Sequence, residues 1–324
     1  MQVSPSVRAV QVPDESPMHP QFTTIYLVGR GQVLTIDSGE DAERYRWMLK
    51  GYLAATEHAE IGQSVVTHYH FDHSSNLRWL RDQFSAEVYV LEAAKPLLGD
   101  RLPESGLHEL RAGESIGVGG GVKLRAIATP GHSPDSLSYF LEDEGVLFTG
   151  DTILGEGTTT VNDLADYLES LQRLRELPNL RVICPGHGPL IEDPVQRIDL
   201  YLRHRTQRER QVITALTSGD AQTSWQIMEQ LYPGINPRLR RSADGNVRAH
   251  LRKLEKDGRI KVYEGKRRQP TETETAQVEE QEHARLEVMR QADAYREEAR
   301  RRTIFLQENP PANEWEEPPR YELI

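Results

Sequence analysis

The 324-residue chain predicts an α/β layered domain, followed by a small α+β module and a charged tail. Three observations carry that expectation. Short apolar runs alternate with helical periods as far as the PGHG at residues 185–188. A helix, helix, helix, strand order then follows, and after Gly265 the composition shifts to Pro-rich and charge-rich text.

The elements read in order. From Val7 to Gly39 the chain is β-rich: FTTIYLVG and QVLTIDSG flank a turn at Gly29 to Gly31, a hairpin signal. Residues 40–59 follow a helical period, and Ile61 to Thr67 reads as a strand running into THYHFDH. Asn76 to Phe84 is helical, and Ala86 to Glu92 is extended. GVKLRAIATPGH, LSYFL and GVLFTGD are extended, the first and last ending in turns. The polar stretch GEGTTT, a helix across Leu164 to Leu177 and the strand LRVICPGHG complete the alternation.

Pro194 marks a boundary, so residues 1–193 are expected to form the first domain. Val195 to Leu216 reads as a long helix with Leu200, Leu202, Val212 and Leu216 on its apolar side. WQIMEQLYPG, ADGNVRAHLRKLEKDG and RIKVYEG supply the remaining helices and strand, which is the order of a winged-helix-like module over residues 194–265. Residues 266–324 are expected to be a peripheral tail, partly helical or disordered, with Leu286, Met289 and Tyr295 on a thin stripe.

Composition excludes several classes. Hydrophobic residues make up 37% and charged residues 27%, with a formal net charge of −11. No apolar run approaches the roughly 20 residues of a spanning helix, so no membrane partner is expected. The N-terminal text has no basic start followed by an apolar block, and the cytoplasm is the default compartment. Cys184 is the single cysteine, which excludes an internal disulfide and a cysteine metal cluster. Any metal must then be held by His, Asp and Glu.

Such a donor set is present. In HYHFDH, at the end of a strand, residues two apart point the same way, so His68 and His70 can grip one ion. Asp72 and His73 follow in a turn and can face a second. TPGHS offers His132, TGD offers Asp151 and PGHG offers His187, each just after an apolar run.

These motifs and their flanks resemble the metallo-β-lactamase fold superfamily, whose pattern of HxHxDH, then His, Asp and His, is filled at every position from about residue 20 to 190. The resemblance implies a four-layer αββα sandwich. It implies that His68, His70 and His132 hold one metal, that Asp72, His73 and His187 hold the other, and that Asp151 bridges. Two Zn2+ ions are the expected cofactors, with Mn2+ or Fe as alternatives. Two such cations about 3.5–4 Å apart lower the pKa of a bridging water toward about 7, giving a hydroxide nucleophile at neutral pH. Asp72 and Asp151 are the residues expected to take a direct catalytic part, and Asp37 in IDSG resembles the family's buried supporting carboxylate. Cys184 reads as a core thiol and His19 as a solvent-facing imidazole; His58, His108, His204, His250 and His283 have no motif context.

Asp at position 151, rather than Cys, and the short spacing from His132 to His187 separate the chain from antibiotic-hydrolysing enzymes and from the β-CASP nucleases. FTGDTILGEGTTTVNDLADYLESL, PGHGPLI, YLRHRTQRERQVI and NVRAHLRKLEKDGRI resemble the β-lactamase-like protein 2 subfamily, in which a winged-helix-like module follows the catalytic domain. That likeness implies hydrolysis of single-stranded RNA as an endoribonuclease or, as in fungal relatives, of acyl-carrier or acyl-CoA thioesters. RNA is the slight favourite. An iron-dependent persulfide dioxygenase is a further alternative, opposed by the complete ligand set, and a non-catalytic regulator is another. Gly155, Glu156, Gly157, Thr158 and Thr159 are expected to line the cleft, where they either bind phosphate oxygens or form a connecting loop that simply needs glycine. Arg205 joins them as a cation on a basic face with Arg203, Arg208, Arg210, Arg248, Arg252 and Lys253. The opposing reading is a solvated face partnered by Glu209, Glu255 and the acidic tail. The tail could also mediate a homodimer.

Overall fold

The computed structural model describes residues 1–13, 22–56, 59–268 and 314–324. His19, His58, His283 and the expected tail stripe of Leu286, Met289 and Tyr295 lie outside them. The described chain divides into two compact units, Met1–Arg205 and Thr206–Ile324.

The first unit contains a seven-stranded and a five-stranded sheet. In the first sheet the strands follow chain order: Gln2–Ser4, Val7–Pro13, Phe22–Val28, Gln32–Ile36, Glu60–Val65, Glu87–Leu91 and Leu107–Leu110. The early pairs are antiparallel, and from Gln32–Ile36 onward the pairing is parallel. The second sheet runs Val182–Pro185, Val146–Gly150, Leu137–Leu141, Val122–Ala128 and Ser115–Val118. Here Val146–Gly150 and Val182–Pro185 pair in parallel, and the remaining pairs are antiparallel.

Period-two alternation explains why the strands are apolar throughout. Val7, Ala9, Tyr26, Val28, Leu34 and Ile36 enter a cluster shared with Leu124, Tyr139, Phe148 and Cys184 of the second sheet. Val10, Val12, Ile25, Leu27 and Val33 point the other way, against Tyr45 and Leu49 of the helix Glu43–Ala55 and Leu80 of the helix Leu77–Phe84. On the second sheet's side, the helix Leu164–Arg175 buries Leu164, Tyr167, Leu171 and Leu174, and Ser170 and Arg173 donate to the Pro130 and Ala128 carbonyls. The result is the αββα sandwich.

The division between units falls inside the helix Pro194–Leu216 rather than at its start. The reason is local: Ile198 and Tyr201 are fully buried, and the Tyr201 hydroxyl accepts a hydrogen bond from Leu154 N at 2.9 Å. The buried stripe of this helix differs from the expected one, since Leu200 is exposed while Ile198, Tyr201, Val212 and Leu216 are buried.

The second unit is the winged-helix-like fold. Helices Ser224–Leu231 and Arg240–Lys256 pack Ile227, Met228, Val247, Leu251 and Leu254 against Val212 and Leu216. A correction concerns the end of the chain, which is not peripheral. Arg320–Leu323 is the middle strand of a three-stranded sheet, antiparallel to Gln222–Thr223 and Ile260–Tyr263, and Tyr321 and Leu323 pack on the core. Composition marks these residues as tail because a four-residue strand has no period long enough to declare itself.

Helix Ser224–Leu231 begins with a capping box. Gln226 N donates to Thr223 Oγ1 at 3.2 Å, and Thr223 N donates to Gln226 Oε1 at 2.9 Å. Thr223→Ala is expected to destabilise the second unit by about 1 kcal/mol. Urea unfolding followed by the fluorescence of Trp225 checks this, and an unchanged midpoint would contradict the role of the cap.

Candidate metal centre

The seven donors follow strand ends. Glu60–Val65 leads into His68 and His70, Val122–Ala128 into His132, Val146–Gly150 into Asp151, and Val182–Pro185 into His187, while Gln32–Ile36 leads into the supporting Asp37. Asp72 and His73 lie in the short helix Phe71–Ser74 that follows. Backbone bonds lock the loops of the two sheets together: Leu137 N donates to Thr67 O at 2.8 Å, and Thr24 N donates to Gly186 O at 2.9 Å.

Two donor groups result: His68, His70, His132 and Asp151, and Asp72, His73 and His187. Within each group the ligand atoms lie within 4.8 Å of one another. His68 Nε2 is 2.8 Å from His70 Nδ1, which is 3.1 Å from His132 Nε2. His73 Nε2 is 3.2 Å from His187 Nε2. Asp151 spans the groups: Oδ1 lies 3.3 Å from both His73 Nε2 and His187 Nε2, and Oδ2 lies 3.7 Å from His132 Nε2.

Four of the five imidazoles are aimed by their other nitrogen. His73 Nδ1 donates to Asp37 Oδ2 at 2.8 Å, which turns Nε2 inward. His132 Nδ1 lies 2.9 Å from both Thr160 O and Thr159 Oγ1. His187 Nδ1 is 3.2 Å from Thr23 Oγ1, and His68 Nδ1 is 3.1 Å from Thr67 Oγ1. Asp37 is itself buried at φ +67° and accepts from Thr67 N at 2.7 Å and Thr67 Oγ1 at 3.0 Å.

The electrostatics suit divalent cations. Burial, reinforced by neighbouring imidazoles, holds His68 well below the ordinary histidine range and lowers His70 to about 4, so both are neutral ligands at pH 7. Burial opposes charge on His73, but Asp72, Asp151 and Asp37 outweigh it and raise that imidazole well above its usual value. Burial likewise works against ionising Asp72 and Asp151, yet the His73 and His187 imidazoles hold both carboxyls well below the usual range. The pocket therefore favours positive charge among three carboxylates, a demand that a divalent cation meets. Asp151 Oδ1 is buried without a well-formed hydrogen bond, as a ligand oxygen would be. Two imidazole lone pairs facing each other at 2.8 Å repel unless a shared proton or a cation lies between them. Gly186 makes room, because a Cβ there would sit 2.6 Å from His73 Cε1 and 2.9 Å from Asp151 Oδ1.

Other expected residues are placed differently. Glu156, Gly157 and Thr158 are exposed and Gly155 is half-buried. Thr159 is 4% exposed with its hydroxyl on His132, and Arg205 is 2% exposed, donating to Thr159 O at 2.5 Å and lying over the Tyr167 ring. The expectation that these two present polar groups to substrate is corrected: both are turned inward, and they brace the loop that aims His132. Cys184 is fully buried in the core. Sequence reasoning missed Arg101. Its guanidinium donates to Tyr69 O and Ser74 Oγ and covers the Phe71 ring at 4.4 Å, clamping the ligand loop. It stands outside every motif, so no local signal could have found it.

Residues 19–187 match the Metallo-beta-lactamase superfamily. The chain belongs to that superfamily. It is a metallo-β-lactamase superfamily hydrolase, and residues 223–268 match the Beta-lactamase associated winged helix domain. Among curated relatives it is similar to the Beta-lactamase-like protein 2 homolog of Caenorhabditis elegans, 36% identical over 79% of this chain and 86% of the relative. It is also similar to the Atrochrysone carboxyl ACP thioesterase of Aspergillus fumigatus, 35% identical over 71% of this chain and 74% of the relative. Among solved structures, a metallo-beta-lactamase family protein from Thermus thermophilus superposes with TM-score 0.68 at 26% identity, covering 81% of this chain and 97% of that one. The metallo-β-lactamase superfamily thus accounts for the sandwich and for the donor motifs. Among the described residues no helix is long and apolar enough to cross a membrane.

Proposed function

We propose that the chain is a dinuclear zinc-dependent thioesterase acting on acyl thioesters of a carrier or coenzyme in the cytoplasm. The observation that carries the reaction is the convergence of seven His and Asp donors in two groups spanned by Asp151. A nitrogen and oxygen donor set of this kind suits zinc. When bound, divalent cations supply Lewis acidity, which activates water at neutral pH and neutralises developing negative charge.

The chain's own groups do the rest. The Asp72 side chain is 21% and that of Asp151 12% exposed, whereas the His73 side chain has no exposure, so the carboxylates mark the side open to substrate. Both are held ionised and can orient an attacking water by accepting its hydrogens. Phe71, in the same loop, is 56% exposed and offers an apolar surface to an acyl group. Among the described residues the one thiol, Cys184, is buried in the core, so it supplies no thiolate nucleophile to the site.

Two observations support a thioester over RNA. One is the similarity to the Aspergillus fumigatus thioesterase. The other is the state of the second unit's basic side chains: Lys253 pairs with Glu209 and Asp257, Arg259 with Glu209, and Arg248 with Asp244. Purified protein with its metal quantified, offered acyl-CoA, hydroxyacylglutathione, a lactone and single-stranded RNA in parallel, is expected to turn over the thioesters fastest. Cleavage of RNA without thioester hydrolysis would sink the substrate assignment.

A further inference from the structure

We propose that the second unit carries a nucleic-acid-binding face that the chain's own acidic C-terminal segment covers and neutralises. Residues 240–268 hold eleven Lys and Arg against four Asp and Glu, in a chain whose net charge is −11. Such concentration along one helix and the strands after it is the charge pattern that meets phosphodiester backbones.

Residues 314–323 are laid directly on that face. Glu314 pairs with Arg241 and lies 3.7 Å from Arg248, both on the helix Arg240–Lys256. Trp315–Glu317 pairs antiparallel with Lys266–Arg267. In that pair Glu316 holds the Lys266 ammonium, and the Trp315 ring lies 5.3 Å from the Arg267 guanidinium. Arg320–Leu323 then enters the sheet, where the Tyr263 hydroxyl donates to Glu322 at 2.5 Å. Of the four Glu in residues 314–324, Glu314 and Glu316 thus meet cations at their carboxylates, as a polyanion would meet them at phosphates.

The seat is shaped for this segment. A Cβ at Gly265 would lie 2.5 Å from Pro319 N and 2.6 Å from Glu317 O, so only glycine admits the approach. The matched winged-helix region ends at residue 268, so the covering strand is supplied from outside it. Solvent-accessible ion pairs such as those of Glu314 and Glu316 are individually weak and salt-sensitive, so a multivalent phosphate polymer can exchange for these carboxylates while Arg320–Leu323 stays in the sheet.

The test keeps the strand and removes its charge. Full-length protein carrying Glu314→Gln, Glu316→Gln and Glu317→Gln is titrated against a fluorescently labelled single-stranded RNA, and against DNA of the same sequence, by anisotropy at low salt. Binding about tenfold tighter than that of the parent chain is expected, with the gain shrinking as salt rises. Adding Arg241→Ala and Arg248→Ala should abolish the gain. A gain on both polymers assigns recognition to phosphate, and a gain on one assigns it also to the sugar; either supports the proposal. Unchanged affinity in a variant with the parent's melting curve overturns it, as does a gain that survives loss of both arginines. If the triple variant does not melt cooperatively, Glu314→Gln alone answers by the same criteria, with about a threefold gain expected.

Discussion

Asp151→Asn is expected to lower turnover by roughly 10³-fold, about 4 kcal/mol of barrier, in a protein that still folds. Asp151 faces both donor groups: Oδ1 is 3.3 Å from His73 and His187, and Oδ2 is turned to His132. An amide of the same shape removes the negative charge and points N–H bonds where a ligand oxygen should be. Because burial is tolerated in Asp151 only through its imidazole neighbours, the neutral variant should unfold no more readily than the parent chain. Steady-state assays together with metal stoichiometry decide the matter. A variant that retains full metal content and more than a tenth of the activity would rule out this residue as the bridge.

Asp37→Ala should act on stability and on metal retention together. The carboxylate is 2% exposed and accepts from Thr67 N, Thr67 Oγ1 and His73 Nδ1, so its loss strands a buried backbone donor and releases the ring that it aims. A loss of about 3 kcal/mol in unfolding free energy is expected from the unsatisfied groups. Metal affinity should fall by about 10–100-fold as His73 loses its orientation. Asp37→Asn, which tolerates the +67° φ and can still accept from Thr67, should recover most of the stability and less of the affinity. Chelator competition and denaturant unfolding read the two effects separately. Equal behaviour of the Ala variant and the parent chain in both would remove Asp37 from the site.

Much of the architecture is legible because it is local. The strands are apolar on both faces, and each donor follows such a strand in a Gly- or Pro-containing turn, so a period of two and a handful of turn residues suffice to place them. What escapes detection depends on partners far away in the chain. Arg101 matters only because Tyr69 O and Ser74 Oγ come to it, and no periodicity encodes that meeting. Thr159 and Arg205 read as substrate groups because glycine-rich and basic text commonly binds phosphate, whereas their polar atoms are consumed by His132 and by each other. Leu200 is exposed and Tyr201 buried for a similar reason: which side of a helix is buried depends on what lies beside it, here the Leu154 amide. The terminal strand escapes because Ile260–Tyr263 and Gln222–Thr223, which receive it, precede it by a long stretch of polar sequence.

The donors are divided between the two halves of the sandwich. His68, His70, Asp72 and His73 follow the seven-stranded sheet, and His132, Asp151 and His187 follow the five-stranded one. Any ion gripped from both sides is a rivet through the seam, and prying the layers apart means giving it up. By mass action, ligand at a hundredfold excess over its dissociation constant adds about 2.7 kcal/mol to the cohesion of a fold that alone can bind it. An ion held there would therefore join metal loading to the cohesion of the two layers.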